Sequence, residues 1–149
     1  LNVAPALSAV RIEARHVMSQ VDIRLKAGAG FTESALAAAN VKVSLNNIKT
    51  SATVDLATAA VTATGQASTI TPYNDGSAYH AIIAPQEVAE GNLITVSVDG
   101  SDYNLSKAFS FQSGKRHTFI VTVDKTRSGM NVTIGAWEDD GHDNGGSAI

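Results

Sequence analysis

Apolar and polar residues alternate along most of this 149-residue chain, with the period of two that is typical of β-strands. In residues 10–18 the apolar positions are mostly even, whereas in residues 21–25 they are odd. Because successive side chains of a strand point to opposite faces, this change of parity predicts a bulge or strand break near residues 18–20.

Similar short segments follow, separated by residues that favour turns. We predict strand ends at the pair Asn46-Asn47 and at Gly65, a hairpin through Asp99-Gly100, and a second hairpin turn over residues 125–129. The apolar residues on both faces of segment 117–123 predict a central, well-covered strand. About nine or ten short strands with regular turns are typical of a sandwich or barrel.

One segment has the composition of a helix, namely residues 32–40, which contain four alanines. Thr32 precedes it and is a suitable N-cap, because its hydroxyl can accept a hydrogen bond from a backbone N–H of the first turn. Because this helix is only about two turns long, its stability depends on packing against the rest of the protein.

The composition of the chain narrows the classes of function that it can have. A net charge of −3 argues against a basic nucleic-acid surface, and the absence of Cys excludes disulfides, thiolate zinc sites and iron–sulfur clusters. No apolar run approaches the 18 residues of a membrane span. Charged residues are only 17%, and with the abundant Thr, Ser and Ala they favour an exported β-protein.

Catalytic and metal-binding motifs are not apparent. The histidines at 16, 80, 117 and 142 lack metal-ligand spacing, and the first three fall in predicted strands, where a structural role is the expected one. The acidic segment 139–145 superficially resembles a calcium loop, but the chain ends before the Glu that such a loop needs. We therefore predict no enzyme, no cofactor and no metal site, leaving open a Ser–His–Asp group assembled across strands.

Trp137 is the only tryptophan, and two interpretations are open. It can close one end of the core, which is the more common role, or form a platform that stacks on a sugar ring. Tyr73, in a segment rich in turn residues, is the second candidate for such a ligand platform.

Several segments, taken in order, resemble the fimbrillin-like proteins of Bacteroidales. They are HVMSQVDIRL (16–25), IIAPQ (82–86), FQSGKRHTF (111–119), VDKT (123–126) and IGAW (134–137). The resemblance implies a transthyretin-like Greek-key β-sandwich with about seven to ten strands and at most one short helix. It also implies a structural or adhesive subunit of a cell-surface fimbria (pilus), exported to the outer membrane.

In such families subunits assemble by strand exchange, in which a neighbour's strand completes an open sheet. The candidate donor is the C-terminal strand, with Met130, Val132 and Ile134 as the inserting side chains. The alternative is that this segment is the last strand of its own domain, which the short turn before it slightly favours.

The chain departs from the full-length family pattern, which has a lipid-anchored Cys and two β-domains. We therefore expect the C-terminal β-domain of a longer precursor, with the lipid anchor outside this chain as the one membrane link. The expected divisions are a leader or linker remnant (1–9), the β-sandwich (10–137) and an acidic, Gly-rich flexible tail (138–149).

The leading hypothesis is thus a fimbrial subunit whose partners are other subunits, joined through sheet edges, with no nucleic acid. The alternative is a surface module that binds a host glycan or protein ligand without polymerising. An open strand edge favours the first hypothesis, and an exposed aromatic side chain with polar neighbours favours the second.

Overall fold

The computed structural model describes residues 15–126 and 129–134, with side chains up to Val123. The elements are β1 (Ser19–Ala27), α1 (Glu33–Ala38), β2 (Val41–Asp55), β3 (Ala60–Ile70), β4 (Tyr73–Asn74), β5 (Tyr79–Ile83), β6 (Gln86–Val88), β7 (Asn92–Val98), β8 (Ser101–Ser106), β9 (Phe109–Phe111), β10 (Arg116–Thr126) and β11 (Gly129–Ile134).

Two main sheets form the fold, one with the strand order β11-β10-β1-β5-β4 and the other with the order β3-β2-β7-β8. A small third sheet pairs β6 with β9. The β1–β10 pair is parallel, and the other neighbours are antiparallel. The predicted all-β sandwich with one short helix is confirmed, whereas its transthyretin-like character stays a prediction.

The count of strands agrees with the sequence pattern. Of the eleven strands in the described residues, β4, β6 and β9 have only two or three residues. The eight longer strands fall within the predicted range of about seven to ten.

One hydrophobic core lies between the two main sheets. Alternate residues of each strand point inward, so Ile23 of β1, Val121 of β10 and Leu45 of β2 are fully buried. Strand β10 lies between β1 and β11, which confirms the prediction of a central strand at 117–123.

Strand β1 begins at Ser19, within the predicted break, but the strand predicted over 10–18 is wrong at residues 15–18, which form no strand. The rest of the strand predicted over 10–18 lies outside the described residues. The predicted helix is confirmed: the Thr32 hydroxyl accepts a hydrogen bond from the Ala35 N–H at 3.1 Å, and Leu36 is buried against the core.

Both predicted hairpins are formed. In the β7–β8 turn, Asp99 and Gly100 have φ angles of 50° and 86°, the left-handed conformation that a two-residue hairpin turn requires. Strands β10 and β11 are antiparallel from Val121 opposite Ile134 to Thr126 opposite Gly129.

Two predicted strand ends are wrong, because β2 continues past Asn46-Asn47 and β3 continues past Gly65. Asn47 (φ 60°) and Gly65 (φ 81°) do adopt turn-like left-handed conformations, but each lies where the β2–β3 register shifts. These residues form β-bulges, which accommodate such a conformation within a continuing strand.

The far end of the β2–β3 hairpin extends beyond the sandwich. Strand β7 pairs with β2 only from Val41 to Leu45, so among the described strands β3 alone pairs with the rest of β2. We call residues 49–69 the ribbon. None of its residues is buried, and Leu56 at its tip is 92% exposed.

Candidate functional site

The candidate donor strand lies in the sheet of its own domain. Residues Met130, Val132 and Ile134 belong to β11, and the register places them opposite Lys125, Val123 and Val121 of β10. The side chains of Met130, Val132 and Ile134 are not among those that the structure describes. Strand β11 is the last strand at one edge of the five-stranded sheet.

Tyr73 lies at the opposite edge of the same sheet. It belongs to the two-residue strand β4, it is 72% exposed, and its register partner on β5 is His80. Ile82, two residues further along β5, is also largely exposed. Trp137, the other candidate platform residue, lies outside the described residues.

His80 is the centre of a network of charged side chains on this sheet. Its Nδ1 lies 2.8 Å from a carboxylate oxygen of Asp22, and its Nε2 lies 3.0 Å from one of Asp75. Asp22 also accepts a hydrogen bond from the side chain of Gln20, and its second oxygen is 3.5 Å from Nε of Arg116. These contacts compensate the charge of Asp22, which is only 3% exposed.

The network shifts two ionisation equilibria. Hydrogen bonds to Asp22 and then to Asp75 raise the pKa of His80 above its ordinary value. The backbone N–H groups of Ser77 and Ala78 donate to Asp75 and hold the pKa of that carboxyl well below its usual range. The folded state thus favours a charged imidazolium between two carboxylates.

This geometry does not form a Ser–His–Asp group. Both ring nitrogens of His80 face carboxylates, and the nearby Ser77 hydroxyl donates to Asp75 at 2.8 Å instead of to the ring. A catalytic histidine needs a free ring nitrogen to take the proton of the nucleophile. The arrangement therefore serves charge pairing between β1, β5 and the β4–β5 turn.

The other two described histidines, His117 and His16, have surroundings that differ from those of His80. His117 is a core residue, as predicted: it is 4% exposed, its Nε2 accepts a hydrogen bond from the Gln112 N–H, and its ring packs against Phe109 and Phe111 at centroid distances of 5.4 and 5.6 Å. The strand position predicted for His16 is wrong, because His16 is exposed and precedes β1.

A shallow cavity of about 370 Å³ lies between α1, the end of β1 and the β4–β5 turn. Its lining mixes apolar side chains (Leu25, Leu36) with polar ones (Glu33, Asn74, Tyr79). In the part of the chain that the structure describes, no group of three or more acidic or histidine side chains is arranged to hold a metal ion. Nor does any described helix have the length and apolar character needed to cross a membrane.

Sequence reasoning identified Tyr73 but missed the network around His80. Its members Asp22, Asp75 and His80 belong to different strands and turns, and Asp22 is 58 residues from His80. The alternation of apolar and polar residues predicts only the face of its own strand on which Asp22 or His80 lies, and not that the two residues are neighbours. The pairing of β1 with β5, which brings them together, is a tertiary property.

Comparison with known proteins agrees with this fold. The model of the fimbrillin-like family matches residues 2–137. The chain belongs to the fimbrillin-like family. None of the functionally curated proteins matches it.

Solved structures of Bacteroides proteins described as candidate cell adhesion proteins are similar to this fimbrillin-like chain. One from Bacteroides uniformis is 25% identical, with a TM-score of 0.66 over 84% of this chain and 51% of that chain. One from Bacteroides ovatus is 22% identical, with a TM-score of 0.59 over 83% of this chain and 45% of the other, and indicates the fold alone. The chain thus spans about half the length of these structures.

Proposed function

We propose that this fimbrillin-like chain is a structural or adhesive subunit of a cell-surface fimbria that assembles by β-strand exchange. The observation that carries the proposal is the match to the fimbrillin-like family over residues 2–137. The similarity to a candidate cell adhesion protein of Bacteroides uniformis supports the same role. A structural function needs no catalytic group, and the partners are other subunits of the fimbria, at the surface of the cell.

The position of β11 supports its role as the donor strand. Among the described residues β11 pairs with β10 alone. Its transfer to a neighbouring subunit would therefore break only the backbone hydrogen bonds between β10 and β11. An edge strand presents unpaired backbone groups to which a strand of another chain can add. Met130, Val132 and Ile134 are the residues that we propose to enter the neighbour's core.

Deletion of residues 130–149 tests this proposal, with deletion of 138–149, which retains β11, as the matched control. For a donor strand we expect the shorter chain to keep a cooperative thermal transition in circular dichroism and to lose assembly in electron micrographs. If the chain without residues 130–149 does not fold, or if it assembles as well as the control, β11 is not an exchanged strand.

The remaining parts of the proposal follow from the family resemblance. We propose that the protein is exported, that it reaches the outer membrane, and that a lipid anchor outside this chain provides its membrane link. We also propose that the chain corresponds to the C-terminal domain of the subunit. Mass spectrometry of the mature protein from cells, with and without globomycin treatment to block lipoprotein processing, tests the anchor.

A second candidate function is the binding of a surface ligand, such as a host glycan, at Tyr73. Tyr73 is a largely exposed ring whose cross-strand neighbour His80 is hydrogen-bonded to two acids. An aromatic face beside hydrogen-bonding groups is suited to stack on a sugar.

A glycan array probed with the purified chain tests this binding. We expect Tyr73→Ala to lower binding roughly fivefold, since stacking on an aromatic ring contributes on the order of 1 kcal/mol. The matched control is Leu56→Ala, which removes another exposed apolar side chain, at the tip of the ribbon. Equal binding by both variants would argue against a Tyr73 platform.

A further inference from the structure

The cavity beside α1 has the composition of a site for a small molecule. Its apolar wall contains Leu25 near the end of β1, Leu36 of α1 and Val41 at the start of β2. Polar side chains of α1 and of the β4–β5 hairpin complete the lining. Its volume of about 370 Å³ lies in the range of roughly 300–1,000 Å³ in which proteins bind small ligands, at the lower end.

Three polar side chains of this lining have hydrogen-bonding capacity that the described residues leave unused. Oε1 of Glu33 accepts from the Ala27 N–H at 3.0 Å, which leaves Oε2 as an acceptor. Oδ1 of Asn74 accepts from the Gly76 N–H at 2.8 Å, which leaves the side-chain NH2 as a donor. The Tyr79 hydroxyl, which can donate and accept, has no hydrogen-bond partner among the described residues.

These three side chains are held in place by the fold. Asn74 and Tyr79 are register partners on β4 and β5, so their side chains lie next to each other on one face of the sheet. Tyr79 packs against the hydrophobic core, and burial raises the pKa of its hydroxyl, which therefore stays protonated at neutral pH. The bond from Ala27 fixes Glu33 against the end of β1. Such a site needs little ordering when a ligand binds.

The charge and the hydrogen-bonding groups of the lining limit the class of ligand. Among the described residues that line the cavity, Glu33 is the one charged group, so an anionic ligand is repelled. An ammonium group suits Glu33 but has no acceptor to offer the NH2 of Asn74. Hydroxyl groups both donate and accept, and therefore match the carboxylate and the amide together.

We propose that this cavity binds one neutral pyranose sugar, as the terminal residue of a glycan. One sugar hydroxyl donates to Oε2 of Glu33, and another accepts from the NH2 of Asn74. The apolar C–H groups of the ring pack against Leu25 and Leu36. Since a pyranose has hydroxyls at its edge and C–H groups on its faces, it matches a site with one apolar wall and a polar rim.

This sugar site is separate from the surfaces proposed above. Tyr73 and Asn74 are successive residues of β4, and the side chains of successive strand residues point to opposite faces. Asn74 lines the cavity and Tyr73 does not. No lining residue belongs to β11. The site therefore depends neither on a Tyr73 platform nor on strand exchange.

NMR of the full chain labelled with ¹⁵N, titrated with the methyl pyranosides of glucose, galactose, mannose and N-acetylglucosamine, tests the site. We expect at least one of them to shift the amide signals of residues 33–39 and 74–79, with a Kd of about 1–10 mM because a single sugar makes few contacts. N-acetylneuraminic acid, an anion, should not shift them. A trisaccharide that ends in the preferred sugar should bind at least as tightly, and its exclusion would overturn the assignment to a glycan terminus.

Two variants of α1 test the role of the lining. Glu33→Gln keeps an oxygen for the Ala27 N–H but replaces the second oxygen with NH2, so we expect sugar binding to weaken roughly tenfold. Its matched control is Glu90→Gln, which changes an exposed carboxylate between β6 and β7 and should leave the Kd within about twofold. Equal binding by these two variants would exclude the contact with Glu33.

Filling the cavity provides a second test. Ala37 and Ala38 are both exposed residues of α1, but Ala37 lines the cavity and Ala38 does not. Ala37→Phe should abolish sugar binding, whereas Ala38→Phe should retain it, and dispersed amide spectra of both variants verify that they fold.

The proposal is overturned if none of the four methyl pyranosides shifts the lining amides, if Ala37→Phe binds as well as Ala38→Phe, or if butylamine binds there more tightly than every sugar. The readout is local to α1 and the β4–β5 hairpin. Failure of the sugar site is thus distinguishable from failure of fimbrial assembly or of binding at Tyr73.

Discussion

His80 connects three parts of the fold through charge. Its ring nitrogens bond to Asp22 on β1 and to Asp75 in the β4–β5 turn, so the side chain of His80 links β5 to a second strand and to a turn. Asp22 in turn approaches Arg116 on β10. Since Asp22 is nearly inaccessible to solvent, the network compensates a carboxylate that would otherwise be costly to bury.

This network predicts a pH-dependent stability. Because the two carboxylates raise the pKa of His80, its ion pairs stabilise the folded state fully below the unfolded-state pKa of about 6.5. That contribution is lost as the pH rises through the higher folded-state pKa. In urea unfolding from pH 5 to 9, His80→Gln should cost up to about 1 kcal/mol at the acidic end and less at the basic end.

The matched control is His16→Gln, which replaces an exposed histidine outside the sheets. Its free energy of unfolding should follow that of the unmodified chain across the whole pH range. Asp75 stays charged throughout this range, because backbone hydrogen bonds hold its pKa well below its usual range. A cost of His80→Gln that does not change with pH would contradict the charged network.

At the scale of elements, the turn between β9 and β10 is tied to the start of β1. Gly114 in this turn donates its N–H to the Met18 carbonyl at 3.0 Å, and Lys115 accepts from the Gln20 N–H at 2.9 Å. Gly114 has a φ of 68°, and a Cβ added there would lie 2.9 Å from the His16 carbonyl oxygen. The turn therefore requires Gly both for its backbone conformation and for its packing.

Gly114→Ala should destabilise the domain more than Gly100→Ala does. Both glycines have a left-handed φ, which costs a side chain about 1–2 kcal/mol, but a Cβ at Gly100 would meet nothing within 4 Å. The close approach to His16 should add at least about 1 kcal/mol at Gly114. Urea unfolding of the two variants measures this difference, and equal costs would show that the close approach relaxes freely.

The lengths of strands were the least predictable property of the elements. Asn46-Asn47 and Gly65 have the composition of turns, yet β2 and β3 pass through them as bulges. A left-handed residue allows a turn or a bulge equally well, and the pairing on both sides of it decides between them. In contrast, α1 and the β7–β8 hairpin were predictable, because a cap and a two-residue turn depend on local hydrogen bonds and dihedral angles.

At the scale of the whole molecule, stability is distributed unevenly. The core residues of β1, β7 and β10 are almost fully buried, whereas the ribbon contributes no buried side chain. Local opening requires less free energy where few apolar contacts are broken. The ribbon and the sandwich should therefore open separately.

Hydrogen exchange followed by mass spectrometry measures this difference. At low protein concentration, amides in residues 50–69 should exchange at least roughly a hundredfold faster than those in residues 93–98 of β7. Uniform protection of ribbon and core at low concentration would contradict this division.

The sequence by itself determined the class of fold, the short helix with its cap, the tight hairpins, the central strand and the family resemblance. These properties depend on local conformation or on alternation along one strand, which a chain carries in its own residue order. The tertiary structure decided which strands are neighbours, and hence that Asp22, Asp75 and His80 meet and that β3 alone among the described strands pairs with residues 49–55 of β2. Contacts between distant residues and missing partners at an edge depend on how the sheets assemble, and no local pattern specifies them.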